Sequence, residues 1–171
     1  NGLSTSMEII KQLYDISQLF EKVTNINIVA KSFNNFAHRE IQYRSNDLIK
    51  LNDVLQDIIN TCLTMAKRGK GTEQQKKDFK ELQKGINAFG SNFLMKGKFR
   101  IDEAINAAGK TAYLSLKLLR KDYSKIEYFK GQDISNLNVE STEFNFLNRL
   151  KKQIDKSSFY YWYKAIELLH G

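Results

Sequence analysis

Residues able to do chemistry are few in this sequence, and most are wrongly spaced for it. Glu167-Leu168-Leu169-His170 has the Glu-x-x-His spacing that puts two metal ligands on one helix face, as in di-iron bundles. A dinuclear site needs a second such pair and two more inward carboxylates. The other histidine, His38, has no glutamate three residues before it, so Glu167 and His170 read as a solvated helix end. No metal and no cofactor is expected. His38 stands beside Arg39 and Glu40, types suited to proton transfer. Adjacent residues on a helix point in different directions, however, and no motif places a serine or cysteine nucleophile near them. Gly69-Lys70-Gly71-Thr72 shares only composition with a phosphate loop, since the spaced first glycine and the preceding strand are missing. It reads as a helix-helix turn. No catalytic residue is assigned, and the chain is expected to bind rather than to catalyse.

Charge gives the stronger signal. Lysine and arginine number 27 against 19 acids, a net charge of +8 at pH 7, which favours an acidic partner. The clusters Lys67-Arg68-Lys70, Lys76-Lys77, Lys96-Lys98-Arg100, Arg120-Lys121 and Lys151-Lys152 are spread along the chain in the manner of a solvated basic shell. Loop cations differ in kind, because a charge held on a rigid turn loses little freedom on entering a partner's pocket. The candidate partner-binding residues are therefore Lys67, Arg68, Lys70, Lys96, Lys98 and Arg100, with Arg39 and Arg44 behind them. The run Phe159-Tyr160-Tyr161-Trp162-Tyr163 covers every face of a helix. Exposed beside Lys156 and Lys164 it would suit protein recognition or base stacking. Buried, it is a bulky plug for one end of the core, and the plug is the favoured reading.

The elements that must carry these residues are helical. Thr5-Ser6-Met7-Glu8 opens a capping-box pattern, and Ile9, Ile10, Leu13, Ile16, Leu19, Phe20 and Val23 follow at helical spacing. The predicted helix runs from about Ser6 to Val23. Periodicity resumes at Val29 and continues through Ile59, Cys62 and Met65, so residues 26–67 form one helix or two, with Ser45-Asn46-Asp47 able to restart the second. Lys67 to Gly71 ends it. Thr72 to Gln75 caps a third stretch that fades near Gly90, and the loop 95–100 leads to a stripe from Ile101 to Leu119, extended by Tyr123 and Ile126. Small residues Ala104, Ala107, Ala108 and Ala112 predict close helix packing there. After a polar segment from Gly131 to Ser141, a last helix from Phe144 to Leu169 is predicted, capped by Ser141 or Thr142.

The expected fold is all-α, an antiparallel four- to five-helix bundle with short loops, forming one domain over residues 1–171. A hydrophobic fraction of 42 % excludes a disordered segment, and the absence of proline permits long helices. Cys62 is the single cysteine, which rules out an internal disulfide and a cysteine-ligated zinc site. No apolar run of about 18 residues is present. The chain opens Asn1-Gly2-Leu3 without an initiator methionine, so it is expected to be a fragment of a longer protein.

Lysine, asparagine, isoleucine and phenylalanine are abundant, and the stretches Ser6-Met7-Glu8-Ile9-Ile10-Lys11-Gln12-Leu13-Tyr14 and Tyr161-Trp162-Tyr163-Lys164-Ala165-Ile166-Glu167-Leu168-Leu169 carry a resemblance. The chain resembles the C-terminal helical domains of the Borrelia OspEF-like leader-peptide surface lipoproteins and of the related fibronectin-binding lipoprotein. The resemblance covers essentially the whole chain. It implies a non-enzymatic helical domain on a lipid-anchored tether at the bacterial outer-membrane surface, which binds and inhibits the serine proteases of the first complement component. No shared motif fixes which residues would inhibit. The other functions consistent with the sequence are a basic helical domain that binds nucleic acid, heparin or another polyanion, and an enzyme built in the bundle core.

Overall fold

The computed structural model describes residues 2–43, 49–92, 99–153 and 155–170. Its order is α1 (Gly2–Phe20), α2 (Ile26–Tyr43), α3 (Leu51–Lys67), α4 (Glu73–Asn92), α5 (Ile101–Leu119), a 3₁₀ helix (Asn145–Lys152) and α6 (Ser157–His170). The all-α class holds among the described residues. Residues 26–67 form two helices, and the predicted restart at Ser45-Asn46-Asp47 falls outside the described residues. Inside them, α3 opens with the Lys50 amide donating to Asp53 Oδ2 at 2.9 Å.

Helix α5 is the axis of the fold. Its alanines make it thin: Ala104, Ala107, Ala108 and Ala112 are all buried, and α1, α3 and α6 each pack closely against it. Gly109 deepens the effect, since a Cβ there would lie 2.9 Å from Trp162 Cδ1. The indole fills that notch and donates from Nε1 to the Ile105 carbonyl at 3.0 Å. Phe159, Tyr160, Tyr161 and Trp162 are buried, so the aromatic run is a core plug. Phe20 of α1 meets Tyr161 edge-on, with ring centroids 5.0 Å apart.

Two expectations need correction. The bundle is not antiparallel throughout, because α6 runs parallel to α5: Asn106 donates to Ser157 near the start of both helices, and Arg120 donates to the Leu169 carbonyl near their ends. Nor are all loops short. The predicted α5 extension through Tyr123 and Ile126 and the single last helix from Phe144 are replaced by an irregular strap over residues 120–144, the 3₁₀ helix and a break before α6. The long connection lets the chain return to the start of α5, as a parallel pair requires. Tyrosine hydroxyls hold the strap: Tyr128 donates to the carbonyls of Phe20 and Val23 at 2.9 and 2.6 Å, Tyr161 accepts from the Phe129 amide and Tyr113 accepts from the Glu127 amide. Asn148 clasps Val139 through both of its backbone groups at 3.0 Å.

The stop of α5 has a physical cause. Asp122 N–H donates to Lys117 O at 2.8 Å and Lys121 N–H to Leu118 O at 3.1 Å, a Schellman termination with Lys121 in the left-handed region at φ 54°. Such terminations usually add an apolar contact across the turn. Here the same two positions form an ion pair: Lys117, a residue 1 % exposed, donates from its ammonium to Asp122 Oδ2 at 2.5 Å and to Ser124 Oγ at 2.8 Å. The predicted box at Thr72 is present in full, with Gln75 N–H donating to Thr72 Oγ1 and Thr72 N–H to Gln75 Oε1. The pattern at Thr5 to Glu8 lies within α1, which begins at Gly2 and ends at Phe20.

Candidate functional site

The candidate cations are best followed through the elements that carry them. Lys67 is the last residue of α3, and the chain reverses into α4 through Arg68, Gly69, Lys70 and Gly71. Arg68 (φ 51°) and Gly69 (φ 73°) both adopt left-handed backbone and Gly71 a φ of 131°, while Arg68 N–H donates to Met65 O at 3.2 Å. Glycine is the usual residue for such a left-handed cap; arginine occupies it here. This backbone is tightly coiled, so the cations sit on a compact turn.

The antiparallel course of α3 and α5 brings that turn to the start of α5. The Arg68 guanidinium pairs with Asp102, while Gln153 Nε2 donates to the same carboxylate at 3.1 Å. Arg100, exposed, precedes α5 and donates its amide to Glu103 Oε2 at 2.8 Å. Lys67, Arg68, Lys70 and Arg100 thus share one end of the bundle. Arg39 is exposed near the end of α2, where α2 meets the beginning of α3. That puts it at the far end of α3, ~25 Å from Lys67 at 1.5 Å rise per residue. Lys96, Lys98 and Arg44 lie outside the described residues.

The fold adds one cation that spacing did not reveal. Arg149, on the 3₁₀ helix, donates from Nη2 to the Ala66 carbonyl at 2.7 Å. It thereby satisfies a free carbonyl in the last turn of α3, where the helix dipole favours a positive charge. Burial lowers the pKa of this guanidinium and the neighbouring Arg68 charge lowers it further. Arg68 Nε is buried without a hydrogen-bond partner. Sequence gave no signal for Arg149, because an arginine reaching back to a distant carbonyl follows no short-range spacing.

The charge balance of this pole is uneven. Lys67, Arg68, Lys70, Arg100, Arg149 and Lys152 outnumber Asp102, Glu103 and Asp155 there, and among the described residues none forms an ion pair with Lys67, Lys70 or Arg100. Other cations of the described residues are paired: Lys164 with Glu127 and Glu167, Lys110 with Glu21, and Lys76 and Lys84 with glutamates three residues earlier on α4. Lys70, Arg100 and Lys152 are exposed at the pole and form no ion pair among the described residues.

Of the other chemistry-bearing residues, Glu167, His170 and Cys62 have structural surroundings. Glu167 binds Lys164 at 2.6 Å, and the His170 ring lies 5.8 Å from that of Phe144. His38 and Arg39 are exposed on α2. Cys62 is buried and its thiol is pushed up to about 12 by loss of hydration. It is therefore a neutral wall of the core rather than a nucleophile. Among the described residues no helix is long and apolar enough to cross a membrane. No family model, no curated protein and no solved structure matches this chain.

Proposed function

We propose that this chain is the ligand-binding domain of a bacterial surface lipoprotein resembling the Borrelia OspEF-like leader-peptide group, and that it binds and inhibits the serine proteases that initiate complement. The observation that carries the reading is the pole at the α3–α4 turn, where Lys70 and Arg100 stand exposed and without an ion pair among the described residues, beside Lys67, Arg68 and Arg149. Trypsin-like proteases have an acidic specificity pocket that accepts lysine or arginine. A cation presented on a left-handed turn can fill such a pocket while its backbone stays out of the extended form that cleavage requires.

Surface plasmon resonance against the purified initiating proteases, paired with a peptide-cleavage assay, tests this directly. Binding with inhibition is expected, and Lys70→Glu with Arg100→Glu should weaken it by about 10-fold or more without changing the melting temperature. No binding at micromolar concentration overturns the proposal. The polyanion alternative keeps the net charge of +8 but loses its stacking platform, since Phe159 to Trp162 are buried. Retention of DNA, RNA or heparin with a steep salt dependence, in the absence of protease binding, would favour it instead.

A further inference from the structure

The three most exposed large apolar side chains among the described residues are Ile28, Phe36 and Tyr43, at 64, 66 and 88 %. All three stand on α2. At about 100° per residue they share a sector of about 80° with Ser32 and Arg39, both also exposed. The buried residues Ile26, Ala30 and Ala37 centre about 140° away on the same helix. Helix α2 is therefore docked by one face and presents an apolar stripe on the other. Its contact with α3 is far lighter than those of α1, α3 and α6 with α5.

A helix docked by one face needs polar residues on the other, and a contiguous apolar patch left outside marks contact with another molecule. Aromatic side chains bury about 150–250 Å² each, so Phe36 and Tyr43 at their exposures offer ~300 Å². Ile28, Ser32 and Arg39 bring the stripe to roughly 600 Å², the lower edge of what a specific interface takes from each partner. The stripe is also complementary to itself. Reversed about a point between Asn35 and Phe36, it sets Ile28 against Tyr43 and Ser32 against Arg39. In an antiparallel pair with a two-fold axis at that point, apolar residues meet apolar residues and the two Phe36 rings flank the axis. The one charge of the stripe, Arg39, meets a hydroxyl and not its own copy. Steps of 8 and 7 residues from Ile28 to Phe36 to Tyr43 keep the stripe nearly along the helix, which suits a shallow crossing of about 20°.

We infer that α2 is a self-association surface, on which two copies of this chain pair α2 against α2, antiparallel, about an axis between Asn35 and Phe36. The contact is a weak one, because it is small and each copy carries a net charge of +8. Salt screens that repulsion, so the dimer tightens as ionic strength rises. Binding of a polyanion or an anionic surface would do the reverse. Arg39 lies at the far end of α3 from the basic pole, so the pole of each copy stays open, and the inference does not depend on what the pole engages.

Analytical ultracentrifugation of the chain at concentrations up to about 1 mM, in low and in high salt, tests the inference. A reversible monomer–dimer equilibrium that is tighter in high salt is expected. Phe36→Ser should weaken it by about 10-fold or more and leave the melting temperature unchanged, since the residue is 66 % exposed. Ser32→Glu sets a carboxylate level with Arg39 of the second copy. It should tighten the dimer by about 5-fold, the worth of two exposed ion pairs, and the gain should vanish when Arg39→Gln is added. A chain that stays monomeric at ~1 mM in both salts overturns the inference. So does a monomer that binds phosphatidylglycerol vesicles through Phe36, which would give the stripe to a lipid surface. A dimer indifferent to Phe36→Ser overturns the choice of surface, and a Ser32→Glu gain that survives Arg39→Gln overturns the register.

Discussion

Replacing Asp122 by asparagine should expose how α5 is stopped. In the native chain Lys117 is 1 % exposed and the two oxygen partners of its ammonium are Asp122 Oδ2 at 2.5 Å and Ser124 Oγ at 2.8 Å. Breaking a buried ion pair by removing one partner costs about 3–5 kcal/mol, because the remaining charge stays buried. The Asp122 side chain is 32 % exposed, so water can take up part of its role, and the expected loss is ~2–3 kcal/mol. Lys117→Met removes the cation and keeps the stem, so in the Asp122→Asn background it should recover most of that loss. The effect also depends on pH. Burial alone would raise the Asp122 carboxyl, but hydrogen bonds from Lys117 and Ser124 outweigh it and hold the group down to about 2, below the ordinary 3.8. A depressed carboxyl gives stability that is complete above 3.8 and is lost as pH falls through about 2. Urea unfolding followed by circular dichroism should therefore show a wide gap between wild type and Asp122→Asn at pH 7 that narrows by ~1–2 kcal/mol toward pH 2. A variant within ~0.5 kcal/mol of wild type at pH 7, or a gap that ignores pH, would refute the reasoning.

Three further outcomes can be measured by the same unfolding assay. Gly85→Ala should destabilise by ~2 kcal/mol or more although alanine is the better helix former by about 1 kcal/mol, because the new Cβ would lie 2.5 Å from the Ser6 carbonyl oxygen of α1; a stabilised variant would show that α1 and α4 separate freely there. Lys121→Gly should stabilise by ~0.5–1 kcal/mol, since glycine adopts the left-handed backbone at φ 54° without strain. Tyr128→Phe should cost ~1–2 kcal/mol by leaving the Phe20 and Val23 carbonyls without their shared donor.

Helix content was readable because the apolar periodicity of Ile10, Leu13 and Phe20, or of Ile105, Ala108, Ala112 and Leu116, reports a buried stripe whatever the helix packs against. The box at Thr72 was readable for a similar reason, since both of its hydrogen bonds span three residues. The direction of α6 was not, because no local pattern tells whether a stripe meets its neighbour parallel or antiparallel. Lys117 was invisible as a core residue: lysine signals surface unless its partners are known, and they lie beyond the helix end. The strap from residue 120 to 144 carries Tyr123 and Ile126 at a spacing that mimics a continued helix, and only the Schellman turn at Lys121 ends the illusion. For the basic pole, the sequence named Lys67, Arg68, Lys70 and Arg100 from loop position, and the antiparallel course of α3 and α5 brings them to one end. Arg149 joins them and Arg39 does not, both by tertiary placement.

The parallel pairing of α5 and α6 also bears on how quickly the chain folds. The contacts that seat α6 join residues 49, 51 and 57 positions apart, whereas α3 and α4 meet across a turn of a few residues. Closing loops of that size raises contact order, so this chain should fold more slowly than a bundle of simple up-and-down helices. During synthesis α5 must wait with its Gly109 notch open to water until α6 emerges. Trp162, the one tryptophan, enters that notch, so its fluorescence should report the seating of α6 separately from the helix formation that circular dichroism follows.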